Sequence, residues 1–186
     1  MAYYDVLEIV AAFSEVIIDL KAHPERRKHS VVTMSLSGPV FDPENPAMIL
    51  LSAVIQKVMD MDVPVVVSAG NTMPGHPNID TVPAVFAGTD YPIIVVGSAK
   101  KTGDKSSFTP NGPQITIHAV GEDASCLQDK DDPATNKLGV SFGVSSNISS
   151  QPLPAPRLMS FSRASAVPLV AGEVANLLSH CSHRHQ

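Results

Sequence analysis

Cysteine is scarce. Cys126 and Cys181 are the only two in 186 residues, too few for a disulfide framework and compatible either with one bridge or with two buried thiols. No apolar stretch approaches the roughly 20 residues of a membrane span, so no membrane partner is expected. Positive charge is not in excess: 13 Lys and Arg against 18 Asp and Glu give a net charge of -5, which supplies no global attraction to nucleic acid or anionic lipid. The opening Met1-Ala2-Tyr3-Tyr4-Asp5 has no basic n-region, and Glu8 and Glu15 interrupt the apolar positions after it, so it does not read as a secretion signal. No glycine-rich phosphate loop is present, and nucleotide binding lacks its chemistry. No cofactor is expected, and no internal repeat occurs.

What is present suits a folded domain. A hydrophobic fraction of 44% with 17% charged residues excludes wholesale disorder, and the length fits one domain with a real core. The 16 prolines are scattered between apolar runs as loop punctuation. Residues 1–186 are therefore read as a single domain, with an irregular insertion at 121–160 and a tail at 181–186.

Periodicity sets the layers. Val6, Ile9, Val10, Phe13, Val16, Ile17 and Leu20 recur at helical spacing and predict an amphipathic helix. A basic surface turn with Pro24 follows, then a β-branched strand from Val31 to Leu36 that stops at Gly38-Pro39. Pro46 to Met61 again has the helical period. The continuous apolar run Pro64 to Gly70 reads as a strand covered on both faces. Tyr91 to Gly97 and Ile115 to Ala119 predict two more strands, and Ala164 to Leu178 a last helix beginning near Pro168. The order implies an α/β domain with a mostly parallel sheet flanked by helices.

Two strand ends carry small residues: Ser35-Leu36-Ser37-Gly38 and Ser68-Ala69-Gly70-Asn71. Ligands of open α/β sheets bind at the carboxyl ends of strands, small residues let an extended peptide approach the backbone, and Asn71 is a neutral donor of the kind that stabilises an oxyanion. Taken alone, Gly70-Asn71 is equally well a turn.

The blocks VVTMSLSG (31–38), VPVVVSAGN (63–71), PIIVVGSAKKTGDKSSFT (92–109), ITIHAVG (115–121) and PLVAGEVANLLS (168–179) stand in that order. Together they resemble the C-terminal half of the subtilisin-like serine peptidases (subtilases, the S8 family), in detail its fungal branch, over about residues 5 to 120 and 161 to 180. The resemblance implies a partial three-layer subtilisin-like fold. It implies that Ser35, Leu36, Ser37 and Gly38 line one wall of the specificity pocket and pair with the substrate backbone. Ser68, Ala69 and Gly70 would form the opposite wall, with Asn71 at the oxyanion position and an extended peptide or protein as partner. Family members are often secreted, so the resemblance leaves the location of this chain undetermined.

The same resemblance exposes departures. The family's nucleophile lies four residues before the proline of the last helix, in a Gly-Thr-Ser-x-x-x-Pro pattern, and Ala164 stands there, four before Pro168. Ser165 is one step along, about 100° around a helix. Ser162 and Arg163 replace the glycine and threonine of the pattern, and Ala119-Val120-Gly121 departs from its Ala-Pro-Gly. The family's Asp and His belong to an N-terminal half that these residues do not include. Asp19 lies too close to Ser35 to be that aspartate and reads as a solvated helix residue, and none of the seven histidines has the His-Gly-Thr context. Triad chemistry needs a base beside the nucleophile, oriented by a third group.

The expectation is a subtilase-like domain that keeps pocket walls and the oxyanion asparagine and lacks acyl-transfer machinery, compatible with a truncated gene, a pseudoenzyme or a misread frame. The alternatives are a non-catalytic peptide-binding module on the same fold and a generic α/β interaction domain with no retained site. In the family, a strand from the N-terminal half flanks the strand matching Val31 to Leu36, so self-association through an unpaired edge is also expected. Weaker signals are bland. His180 to His185 has metal-compatible residues but reads as a frayed tail, so no metal is expected. Lys100, Lys101 and Lys105 read as a solvated turn. The Asn147-Ile148-Ser149 sequon would need a secretory route to be modified.

Overall fold

The computed structural model describes residues 6–39, 44–72, 75–88, 90–122, 124–126, 139–141, 146–147 and 166–182. Helix α1 (Val6–Ala22) buries Val6, Phe13, Ile17 and Leu20, the stripe that its spacing predicts. It ends in a 3-10 turn, Pro24–His29, with no buried residue. There the Arg27 Nε donates to the Leu20 carbonyl at 2.8 Å, satisfying one of the acceptors that a helix end leaves open. Asp19 is exposed and pairs with Arg26 at 3.1 Å, a solvated helix residue as expected.

Helix α2 (Pro46–Met59) starts where Asn45 accepts the Ala47 amide at 2.9 Å and Pro46 takes the first turn, both standard start signals. It buries Met48, Leu51, Ile55 and Val58. A turn with Asp62 at φ 59° then delivers the chain to β3 (Val65–Ser68), whose four residues are all buried.

The main sheet runs β1-β3-β5-β6, entirely parallel, with β1 at Val32–Met34, β5 at Ile94–Ala99 and β6 at Ile115–Val120. A strand buried on both faces needs cover on both. Here α2 packs on β3, α1 packs on α2, and α3 (Ala166–Ser182) packs against β1, β3, β5 and β6. The domain is α/β, with a mostly parallel sheet flanked by helices.

Four details differ from the periodicity. The expected strand 31–36 breaks at Ser35: β1 stays in the main sheet, and β2 (Leu36–Pro39) leaves it for a second sheet ordered β4-β2-β9, with β4 at Thr81–Val82 and β9 at Ser146–Asn147. Strand β5 begins only after Pro92, which has no amide to give a ladder, and reaches Ala99. Among the described residues of 121–160, three short strands occur: β7 (Ala124–Cys126), paired with β8 (Gly139–Ser141), and β9. Helix α3 starts two residues before Pro168, so that proline falls in the first turn, where no intrahelical acceptor awaits its missing N–H.

The core assignment has a direct check. Ile55→Ala, at a fully buried site, is expected to cost about 2–5 kcal/mol. Ile49→Ala, on the same helix but 54% exposed, is expected to stay within about 0.5 kcal/mol. Urea melts of the two variants measure the difference.

Candidate peptide-binding site

The site forms where β3 leaves the sheet. Ala69 extends the ladder by donating to the Val96 carbonyl at 2.9 Å. Gly70 then turns the chain at φ +83°, and Asn71 emerges half-buried. A Cβ on Gly70 would lie 2.7 Å from the Thr81 Oγ1, so glycine is required there for both its backbone angle and its lack of a side chain. Thr81 belongs to β4, which runs antiparallel to β2 with Gly38 opposite Val82 and Pro39 opposite Thr81. The Ser68 hydroxyl also reaches the Leu36 carbonyl, at a long 3.5 Å.

These contacts bring the two expected walls together. Ser35, Leu36 and Gly38 are half-buried and Ser37 is buried, while Ser68, Ala69 and Gly70 are all buried. The second wall is therefore shielded from solvent in this structure. The Thr81 Oγ1 is buried and has no hydrogen-bond partner, a cost of about 1–3 kcal/mol that a site must offset elsewhere. Parallel to β2 on its other side lies β9, with Leu36 opposite Ser146 and Ser37 opposite Asn147.

Beyond Asn71 the structure holds a feature that the sequence reading missed. Thr72 donates to the Phe108 carbonyl at 2.8 Å, and the two loops line an open cleft of about 560 Å³ formed by Thr72, Gly75, Pro77, Lys105, Ser107 and Asn111. Lys105, read as part of a solvated turn, donates its Nζ to the Asn111 Oδ1. Behind it, Ser98, Ser106 and Thr109 form a buried hydroxyl network: Ser98 Oγ and Ser106 Oγ are 2.9 Å apart, and the Thr109 hydroxyl both accepts the Ser98 amide at 3.0 Å and donates to its carbonyl at 2.9 Å. An Asp80–His76 pair at 2.8 Å stands in the same loop.

Ala164 and Ser165 lie outside the described residues. The residue that follows them, Ala166, is fully buried and close to Gly121, where a Cβ would come within 3.1 Å of it and 2.6 Å of the Ser98 Oγ. The start of α3 is thereby fixed at the carboxyl ends of β5 and β6. Among the described residues no group of three His, Cys, Asp or Glu is gathered for a metal ion, and His183 and His185 of the C-terminal tail fall outside them.

A family model described as the subtilase family matches residues 8–183. The chain belongs to the subtilase family. Its fold is shared with the prenylagaramide maturation protease PagA (TM-score 0.67, 17% identity, covering 100% of this chain and 53% of that one). It is also shared with the PatG macrocyclase solved in complex with peptide (TM-score 0.64, 22% identity, 98% and 44%) and a cold-adapted subtilisin-like serine proteinase (TM-score 0.57, 21% identity, 90% and 48%). The subtilase chain thus spans about half the length of these solved structures. No curated protein sequence matches it.

Gly70 is the backbone turn of this candidate site in the subtilase chain. Gly70→Ala is expected to cost about 1–3 kcal/mol from the positive φ alone, and more while Thr81 is in place. Adding Thr81→Ala should recover part of that loss by removing the facing hydroxyl. Guanidinium denaturation of the single and double variants measures the coupling.

Proposed function

We propose that residues 1–186 form a subtilase domain that binds an extended peptide between the Ser35–Gly38 and Ser68–Asn71 walls and does not itself hydrolyse it. The observation that carries this reading is β9. A two-residue extended segment already runs along the Leu36–Ser37 backbone, which is how an added strand docks on a sheet edge: main-chain hydrogen bonds supply affinity, and neighbouring pockets supply selectivity. The peptide-bound PatG macrocyclase, whose fold this chain shares, supports the same use of the fold.

The chemistry supports binding without turnover. Acyl transfer requires a nucleophile, a base within reach and a group that orients the base. Ala164 stands at the position matching the family's serine, and no histidine here has the family's context. Asn71 would then act as a hydrogen-bond donor to a bound carbonyl. An oxyanion donor without a nucleophile leaves little rate enhancement. A peptide entering along β2 competes with β9 for the same edge, so the amides of Leu36 and Ser37 report on the exchange.

Two measurements test the reading. Fluorescence polarisation with labelled extended peptides is expected to show saturable binding that Asn71→Ala weakens about 3- to 10-fold, the worth of one hydrogen bond. A fluorophosphonate serine probe is expected to leave the protein unlabelled. Labelling that disappears in Ser165→Ala would mean that the register near the last helix has slipped and that hydrolysis occurs. Failure of every peptide to bind, with Asn71→Ala unchanged in stability, would leave an α/β interaction domain with no retained site.

A further inference from the structure

Thr72 carries the chain from Asn71 into the open cleft, beyond the two walls proposed for the peptide. Lys105 is the one charged residue among the described residues that line that cleft. Its Nζ donates to the Asn111 Oδ1, a neutral partner that orients the ammonium without cancelling its charge and leaves further N–H donors unused. Among the described residues no carboxylate lies within ion-pair distance of Lys105. Two acids of the same loops are engaged elsewhere: Asp104 accepts from the Thr102 hydroxyl at 2.8 Å, and Asp80 pairs with His76 at 2.8 Å.

The surroundings hold this cation in place. The Lys105 backbone bridges to Ala99 at the end of β5. Asn111 is pinned both ways, its amide donating to the Pro77 carbonyl and its carbonyl accepting from Ile79, each at 2.8 Å. Ser106 and Thr109, both buried, anchor the loop to Ser98. A charge on a fixed frame loses little freedom when a ligand meets it. More donors stand beside it. The Thr109 amide closes a turn on the Ser106 carbonyl at 3.0 Å, and the Ser107 and Phe108 amides within that turn have no acceptor among the described residues. A cationic head next to unused N–H groups suits an anion.

We infer that this cleft seats a carboxylate of the bound peptide, an acidic side chain or the terminal carboxyl group, close along the chain to the carbonyl held at Asn71. The inference rests on the peptide-binding reading and names the class of peptide. Successive Cα atoms are about 3.8 Å apart, so the neighbours Asn71 and Thr72 set the two contacts within about two residues of one extended ligand. The net charge of -5 repels acidic peptides in general. A preference for them therefore needs a local source, and the turn with Lys100, Lys101 and Lys105, all exposed, is one.

The test moves one aspartate position by position along a short apolar peptide, acetylated and amidated, and compares each form with its asparagine twin by fluorescence polarisation. At one position or two adjacent ones, aspartate is expected to bind about 3- to 10-fold tighter at low salt, between the worth of an exposed ion pair and that of a charge-assisted hydrogen bond. Added salt should shrink the gain. Lys105→Gln should erase it, whereas Lys105→Arg and Lys101→Gln, the latter outside the cleft, should keep it. A peptide ending at that position, as free acid and as amide, tells a terminal carboxylate from a side chain, and a gain in either arm supports the inference. Should the glutamine variant fail to fold, NMR of the unaltered protein decides: the Ser107 and Phe108 amides should shift with the aspartate peptide and not with its twin. Twins that bind alike at every position, with the free acid no tighter than the amide, would overturn the inference and leave the peptide reading standing. A gain equal at every position, or one that Lys101→Gln also removes, would overturn it as diffuse charge. Loss of all binding, neutral peptides included, would overturn both.

Discussion

Strand β3 is the constraint on which the remaining structure depends. Its four residues Val65 to Ser68 are buried on both faces, so its backbone groups must find partners in other strands, because no water reaches them. β1 and β5 supply those partners in parallel register. Parallel neighbours require crossovers; the one from β1 to β3 carries α2, and α3, at the C-terminal end of the described chain, adds cover against β1, β3, β5 and β6. The helices, the sheet order and the burial of Leu51, Ile55 and Val58 are the consequences of placing one apolar run in the middle. So is the location of the site, since the chain can leave a buried strand only at its end.

That exit explains why the site is built from small residues. Gly70 turns in the left-handed region against Thr81, and β2 has left the main sheet to pair with β4 and β9. The walls therefore converge from two different sheets, tied by Ser68 to Leu36, with Gly70 set close against Thr81 of β4. Little side-chain chemistry is left between them. Ser68, Ala69 and Gly70 are buried, and Asn71 emerges half-buried beyond them; the proposed function assigns that amide to a bound extended chain.

Much of this was legible in the sequence, and the unread parts share a cause. The helical stripes of α1 and α2 and the all-apolar β3 are local patterns, and local patterns survive into structure. The strand ends at Gly38 and Asn71 were marked by small residues in the right blocks, and the same blocks led to the family. The break at Ser35 was not visible, because residues 31–37 hold no Gly, Pro, Asn or Asp to punctuate them, and the partners of the second half, Thr81–Val82 and Ser146–Asn147, are distant in sequence. β7, β8 and β9 are two or three residues long, too short for any period. The open cleft depends on Thr72 and residues 75–77 meeting residues 105–111, and Lys105 gives no sign of that meeting in its own neighbourhood. Ala164 lies outside the described residues, and its match to the position of the family's serine rests on its distance from Pro168 in the sequence.

A peptide seated on backbone, beside an asparagine, with no acyl intermediate, has a spectroscopic signature. The most direct measurement is a nitrogen–proton NMR titration of the isotopically labelled protein with an unlabelled extended peptide, followed by mass analysis of that peptide. Shifts confined to the amides of Leu36, Ser37, Ala69, Gly70 and Asn71, with the peptide recovered intact, are expected. Shifts that bypass those residues, or a peptide recovered in two pieces from contaminant-free protein, would contradict the proposed use of the site.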